Sequence, residues 1–437
     1  MAREIILIAG KDPGSESGGH SSFLRATARA AIETGFTPHI FCSARQSGVE
    51  TADYGVIHKT ASPLRSFRQT MIPFHAPLVT AEIKRFLSGI AGPHLIHSLS
   101  LWGCVGASVA REFRRRGRRV TTVVNAYTTM RHEAKGKLDG LSSVHGKGQR
   151  LRHWGEYAWF NLIEPYERRA YLESDLVIVN YESVRRLLVE KYGERPKIHR
   201  MTYAPESAFL RGPNPPPSRA PEALRALRPS DAPLVVSVSR HDPRKGIDVL
   251  LRALSELRKS GAQFRACLVS GGPLFAAHRR LAEQLGLEDS TVLAGWVDDP
   301  APYLQHADVF VLPSLEEGSG SVSLLEAMQF GAAVVATNID GIPEDVTDGE
   351  SALLTPPGDV GALSRAIRRL LKDADLRKRL ARAGGETFVE RFSAGAFVAA
   401  LREVYGGLGF ECAPEGRLAG VGPAKTPAGL PFPEGNG

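Results

Sequence analysis

A chain of 437 residues is too long for one compact core and suits two domains. With 43% hydrophobic and 23% charged residues it has the balance of a folded globular protein, not of a disordered one. The four cysteines, Cys42, Cys104, Cys267 and Cys412, are widely scattered, which excludes a disulfide framework and any Cys-x-x-Cys metal or redox motif. No apolar run approaches the ~20 residues needed to cross a bilayer, and no signal peptide precedes the first apolar run. A cytoplasmic protein is therefore expected.

The net charge of +8 hides an asymmetry. Residues 1–220 carry 32 Lys+Arg against 19 Asp+Glu, and the remainder carries 23 against 28. A basic first half argues for an anionic partner there: a lipid surface, a phosphorylated acceptor or nucleic acid. Nucleic acid is disfavoured, because the basic residues are dispersed and no recognition motif accompanies them.

In chain order, the first half alternates strands and helices. A strand is expected over residues 5–9, then a Gly/Ser loop over 11–20 and a helix over 21–34. Strands follow at 39–42 and 95–97, a helix at 105–116, a strand at 120–124, another at 176–179 and a helix at 183–192. Such alternation predicts a parallel sheet covered on both faces. The proline-rich run 213–221 reads as a linker, since its prolines fit neither helix nor central strand. A second alternation begins at 234–239 and ends with helices at 359–373, 374–383 and 397–405. The fold class predicted is α/β, with two Rossmann-like domains, the first over residues 1–212 and the second over 223–392, joined by a linker at 213–222. The tail, 411–437, is rich in Pro and Gly and is expected to be disordered.

The chemistry concentrates at strand ends. Glu317 and Glu326 flank a loop of small residues, Gly318, Ser319, Gly320 and Ser321, between the apolar strand 309–312 and a helix. In an open α/β sheet this is the crevice where ligands bind, and a helix N-terminus there favours an anion such as a diphosphate. Arg240 and Lys245 are cations in the loop after the strand 234–239. Gly18 and Gly19 lie in the first strand-to-helix loop, where the backbone can approach phosphate. Gly272, Trp296 and Val297 also follow strands. The first domain adds Lys135, Lys137, Lys147, Arg150 and Arg152 beside Trp154, Tyr157, Trp159 and Phe160, a mixture suited to an interfacial membrane segment or an acceptor lid.

Three segments carry a resemblance: Arg240 to Lys245-Gly246, Ala307-Asp308 to Pro313-Ser314, and Glu317-Gly-x-Gly through Leu-Leu-Glu326-Ala-Met to Gly341-Ile-Pro-Glu344. Together they resemble the donor site of glycosyltransferase family 4, retaining enzymes of the GT-B fold that use nucleotide sugars. The resemblance implies a UDP- or GDP-type donor as co-substrate, a sugar, lipid-linked or small-molecule acceptor, and no metal cofactor. It implies that Arg240 and Lys245 bind the donor phosphates, that Trp296 and Val297 flank the base, and that Glu326 holds the ribose hydroxyls. Glu317 would meet the transferred sugar, with Glu316 pointing elsewhere. It also implies that a terminal helix, 393–410, returns to the first domain.

Two departures stand out. The family has seven residues between its two glutamates, whereas eight separate Glu317 from Glu326. Where the family has a histidine near the donor sugar, this chain has Asn125, which cannot carry a proton near neutral pH. His97 resembles the family's other histidine position, and it and Asn125 are the acceptor-side candidates. His20 and His132 are alternative candidates for the place of that missing histidine. The two departures leave one alternative open, a catalytically degenerate protein that binds a nucleotide or sugar without turnover.

Overall fold

The computed structural model describes residues 3–14, 18–62, 71–139, 147–212, 215, 216, 218–225, 227 and 231–414. The first sheet contains β1 (Arg3–Ile8), β2 (Phe36–Ala44), β3 (Gly48–Ala52), β4 (Gly55–Ala61), β5 (His94–Leu99), β6 (Val120–Ala126), β7 (Leu176–Val179) and β8 (Ile198–Arg200). Their order is β3-β4-β2-β1-β5-β6-β7-β8. The second sheet contains β9 (Leu234–Val238), β10 (Arg265–Val269), β11 (Thr291–Gly295), β12 (Val309–Leu312), β13 (Ala333–Thr337) and β14 (Ala352–Thr355), in the order β11-β10-β9-β12-β13-β14.

All pairings in the second sheet are parallel. Its central strands are covered on both faces, so β12 reads Val-Phe-Val-Leu with every residue buried. The first sheet corrects the expectation of purely parallel strands. At its edge β3 runs antiparallel to β4. Four of the five β3 residues are exposed, and this polar edge strand lacks the apolar run that marks its neighbours.

In each sheet the strand order reverses once beside a central strand. β1 has β2 on one side and β5 on the other, and β9 lies between β10 and β12. The loops leaving β1, β9 and β12 therefore open at the switch points, where a crevice forms because successive connections depart to opposite sides.

The two halves are clasped at several points. Glu344, from the second half, accepts hydrogen bonds from the N–H groups of Glu182 (2.8 Å) and Ser183 (3.0 Å) and so caps the helix Glu182–Tyr192 of the first. Tyr181 donates to Asp345 at 2.8 Å, and its ring sits where a side chain on Gly320 or Gly341 would collide with it. The last helix, Ala394–Gly407, packs on Gly19–Glu33 through Phe397 against Phe23. Residues 411–414 are anchored, with the Ala413 N–H donating to Thr34 O and Arg402 Nε donating to Ala413 O. The remainder of the expected tail, 415–437, and linker positions 213, 214 and 217 lie outside the described residues, as do the side chains of Lys137, Lys147, Arg150 and Arg152.

Tyr405 on the last helix meets the Nδ1 of buried His97 at 2.7 Å. Tyr405→Phe should strand that nitrogen and lower stability by about 1–3 kcal/mol. Urea unfolding measures this, with earlier proteolysis of the terminal helix as a second readout.

Candidate functional site

The site is built from three loops of the second sheet and two segments of the first. After β9 the chain turns through Pro243–Lys245, with the Asp242 carboxylate accepting from the Arg244 N–H at 3.2 Å. Gly246 ends the turn with φ 58, and a Cβ there would lie 2.1 Å from Pro313 O. Only glycine allows both that dihedral and that contact with the loop after β12. The two loops are then zipped together, because the N–H groups of Leu315 (2.6 Å) and Glu316 (3.1 Å) both donate to Arg244 O.

This zipping sends the two neighbouring acids apart. Glu317 accepts from Lys245 Nζ at 2.5 Å and also from Ser314 Oγ. Glu316 turns the other way, towards the first domain. It accepts from Arg244 at 3.0 Å, and His132 Nε2 lies 3.8 Å from its Oε1. The ion pair with Lys245 holds Glu317 within its own domain, while Glu316 reaches towards the other.

Arg244 is shared by both domains. Glu316 and Asp242 of the second and Glu133 of the first (3.7 Å) surround it. Burial opposes its charge, and Glu133, Glu316 and Asp242 outweigh burial and raise its pKa. Burial likewise pushes the Glu316 carboxyl above its ordinary range, with Arg244 acting against the shift.

Asp340 follows β13 and was not among the sequence candidates. It has φ 46, unusual for a residue with a side chain. Its Oδ2 accepts from the N–H groups of Glu317 (2.7 Å) and Gly318 (2.8 Å), which ties down the small-residue loop. Burial would raise its pKa, but His132 and these two N–H groups lower it. Asp340 beside it raises the pKa of His132 against burial, with the Glu316 charge adding to the effect. The sequence predicts no metal cluster, yet the fold brings one donor atom each of His132, Glu316 and Asp340 within 4.8 Å of one another. A position at the C-terminal end of a central strand is the signal that could have found Asp340. No spacing in the sequence could have placed His132 beside it.

The other predicted residues fall as follows. Gly18 precedes the helix Gly19–Glu33, which has no side-chain cap at its N-terminus. The helix Val322–Gln329 likewise has no side-chain cap. A Cβ on Gly19 would lie 3.7 Å from Val322 Cγ2, so the two uncapped N-termini meet across the cleft. Ser319 and Gly320 lie in the loop before the second of these helices, where Ser319 O accepts from the Gly341 N–H at 2.8 Å. Arg240 is exposed and has no ion pair among the described residues. Gly272 lies against the backbone of His241, the exposed Trp296 ring lies over Gly271, and Val297 packs at the edge of the core. Glu326, on the second turn of its helix, is half-buried, and burial pushes its carboxyl up to about 7 against the Ser207 hydroxyl.

His97 and Asn125 do not line the cleft. Each is 1% exposed. His97 meets Tyr405 through Nδ1 and Asn125 Oδ1 through Nε2. Tyr405 donating and Asn125 Oδ1 accepting define a neutral Nε2–H tautomer, and burial lowers the His97 pKa to about 4. Nδ1 is thus committed to the terminal helix and Nε2 to Asn125 on β6.

Known proteins place this architecture. Residues 17–202 match the model of "Glycosyltransferase Family 4" and residues 222–387 that of "Glycosyl transferases group 1". The chain belongs to the family 4 type of glycosyltransferase, with the GT-B fold. Lipopolysaccharide core biosynthesis glycosyltransferase LpsE of Rhizobium meliloti is 38% identical over 165 residues, 38% of this chain and 47% of that protein. The chain thus spans about half the length of the curated relatives it matches. Sucrose-phosphate synthase from Thermosynechococcus elongatus superposes with a TM-score of 0.72 at 23% identity, covering 93% of this chain and 99% of that one. HepE from Anabaena, solved with UDP-glucose, superposes with a TM-score of 0.65 at 17% identity, covering 92% and 99%. These two likenesses define the fold alone.

Arg244→Ala should leave Glu316 and Glu133 without their shared cation and cost about 3 kcal/mol or more, the usual penalty for breaking a buried pair. Chemical denaturation at pH 7 and pH 5 checks this. The deficit should shrink at the lower pH, where the raised Glu316 carboxyl takes up a proton.

Proposed function

We propose that this protein is a retaining glycosyltransferase that moves a sugar from a UDP- or GDP-type donor to a sugar, lipid-linked or small-molecule acceptor. The observation that carries the proposal is the meeting of two uncapped helix N-termini across the cleft, beside the loop that Lys245 joins through Glu317. Unsatisfied N–H groups on both sides and two cations suit a diphosphate. The nucleotide-sugar complex of the Anabaena neighbour is consistent with this ligand class.

In the reaction, the bond between the sugar's anomeric carbon and the diphosphate oxygen breaks. The acceptor hydroxyl oxygen bonds to that carbon on the same face, and its proton passes to the departing diphosphate. Arg240, Lys245 and the two sets of N–H groups stabilise the charge that develops on the leaving oxygen. No side-chain base is required, which fits the commitment of both His97 nitrogens elsewhere. Lys245 is held by Glu317 before the donor arrives, so its ammonium is preset and does not have to be ordered on binding. The work of a metal on the diphosphate falls to these cations.

Hydrolysis and transfer assays with a panel of UDP- and GDP-sugars test this function. Turnover of none of them, with nucleotide binding retained, would favour the binding-only alternative. With the donor identified, Lys245→Ala should reduce turnover by the equivalent of about 2–4 kcal/mol while leaving the melting temperature nearly unchanged. Unaltered turnover would remove Lys245 from the phosphate site.

Glu326 gives a pH signature. With its carboxyl pushed to about 7, it is mostly protonated at pH 6 and mostly charged at pH 8. A carboxylate accepts two strong hydrogen bonds from ribose hydroxyls, and the protonated form has lost part of that capacity. Nucleoside diphosphate affinity should therefore rise between pH 6 and 8 by about tenfold more in the wild type than in Glu326→Gln. The variant retains only the ionisation of the nucleotide itself. In the free protein the sign is opposite. The folded state holds a proton that the unfolded chain has released, so this residue's contribution to stability falls as pH rises towards and through about 7. Calorimetric titration at both pH values gives the comparison.

We also propose that the first domain rests on an anionic membrane face. The helix Lys147–Leu172 exposes Leu151 (75%), Trp154 (61%) and Leu162 (67%) at helical spacing. The adjoining helix Gly103–Arg115 supplies Arg111, Arg114 and Arg115 around a groove. Apolar insertion with flanking cations is the pattern of interfacial binding. Trp154→Glu with Leu162→Glu should lower co-sedimentation with phosphatidylglycerol vesicles severalfold, and high salt should lower it for the wild type.

A further inference from the structure

The chain crosses between its two halves twice. It leaves the first sheet after β8, and it returns where the helix Ala374–Arg391 gives way to Ala394–Gly407, which packs on the first domain. The two crossings touch, because the Thr202 hydroxyl donates to Arg391 O at 2.5 Å. Beside that bond lies a recess of about 210 Å³. Arg200, Thr202 and Tyr203 line it from the first crossing, Arg391 and Phe392 from the second, and Asp345 from the helix Ile342–Asp345. A single water needs only ~15 Å³ of such space, so the recess admits a larger guest.

Its polar groups are left incomplete. Asp345 is 1% exposed, and its Oδ1 has no hydrogen-bond partner. Its Oδ2 accepts from the Tyr181 hydroxyl at 2.8 Å, and that hydroxyl lies 3.1 Å from the Tyr203 hydroxyl. With the Tyr181 proton given to Asp345, Tyr203 donates to Tyr181. Burial pushes the Asp345 carboxyl up to about 8, against the Tyr181 bond and the Arg391 and Arg200 charges, so it holds a proton at pH 7. With Oδ2 accepting, that proton sits on Oδ1, a buried donor with nothing to meet. Arg200 holds Glu344 Oε2 at 3.0 Å, and Arg391 holds Glu344 O at 2.8 Å. Each uses only its Nη2, and the other N–H groups of both have no hydrogen-bond or ion-pair partner among the described residues. Two guanidinium charges against the one carboxylate of Glu344 leave a positive excess.

We propose that this recess is a binding site for a phosphate group, free or carried on a small molecule, that bridges the two crossings between the domains. Free N–H groups on two arginines and an O–H on a neutral acid are all donors, and a positive excess selects an anion. A carboxylate has two oxygens for three donor groups. A tetrahedral phosphate has enough to meet Arg200, Arg391 and Asp345 together. Such a guest joins Arg200 of the first crossing to Arg391 of the second. None of the lining residues takes part in the transfer step proposed above, so the inference does not depend on the donor.

The experiment titrates inorganic phosphate and glycerol 3-phosphate into the full chain carrying Lys245→Ala, followed by calorimetry. That background removes a cation expected to draw phosphate to the donor loops. One phosphate should bind per chain. Adding Arg200→Gln or Arg391→Gln should weaken it about tenfold or more, the scale of a hydrogen bond to a charged group. Arg200 carries a side chain that is 47% exposed, so its variant should keep the fold even if Arg391→Gln does not, and thermal melts check both. Saturating phosphate should raise the melting temperature of the Lys245→Ala chain and leave that of its Arg200→Gln double variant nearly unchanged. Tighter binding of glycerol 3-phosphate makes the ligand a carried phosphate, and tighter binding of inorganic phosphate makes it the free ion; either supports the site. Undiminished binding in the folded Arg200→Gln double variant overturns it. So does the absence of binding in Lys245→Ala, whether or not the wild type binds phosphate, since binding in the wild type alone would place the anion at the donor loops.

Discussion

Arg244 is where the two domains share charge, and much of the site's geometry follows from it. A guanidinium this buried would be costly alone, by several kcal/mol even after relaxation. It is sustained by carboxylates from both sides, Asp242 and Glu316 from its own domain and Glu133 from the other. Its carbonyl also receives two N–H groups from the loop after β12. Side chain and backbone of one residue thus fix the turn that carries Lys245, the path of the Glu316-Glu317 pair and one contact between the domains. If the domains parted, Arg244 would keep two of its acids and Glu133 would pass into water. The closed arrangement is therefore favoured by only one partly buried ion pair, on the order of 1 kcal/mol at this point. That is small enough for a ligand to bias.

The fold presents chemistry where its strands run out. At β1 and β9 the connections leave to opposite sides, so the backbone diverges and opens a crevice at each switch point. The two crevices face each other, and each supplies a helix N-terminus with no side chain capping it. Asp359, Asp373 and Ser393 cap the last three described helices of the chain. A cap satisfies the same N–H groups that an anion would use, and the two helix starts at the cleft leave theirs uncapped.

Much of this was legible in the sequence, for physical reasons. Strands buried on both faces must be continuous apolar runs, so β9, β10, β12 and β13 stand out. The elements that escaped were those whose packing is one-sided or whose composition misleads. The β3–β4 hairpin is polar and lies at the edge. The helix Ile72–Ser88 contains Pro77, and Lys147–Leu172 contains Pro165, either of which reads locally as a breaker. Both helices persist because tertiary burial outweighs the local penalty, with Val79, Ile83, Ile163 and Ala170 all in the core. Arg240, Lys245 and Glu317 could be placed in loops after strands from the sequence, and Glu326 on the helix that follows. Arg244 as a hub, Asp340 and His132 could not, because their roles depend on which loop lies beside which, and for His132 on how two separate domains meet.

The longer spacing between the two acids becomes intelligible in this frame. Between Glu317 and Glu326 lie four loop residues, 318–321, and then Val322–Leu325, the first turn of the helix. The loop is held down along its length. Asp340 takes the N–H groups of Glu317 and Gly318, Ser319 O accepts from Gly341, and Tyr181 leaves room only for glycine at 320. Consecutive side chains in an extended segment diverge, so once one acid is committed to Lys245 its neighbour must point away from it. Electrostatics fixes the choice. Lys245 takes the Glu317 carboxylate as its partner at 2.5 Å. Glu316 is balanced by Arg244 instead. Its unpartnered oxygen is aimed at His132 of the other domain, and the opposite paths of two adjacent glutamates follow from which cation each one holds.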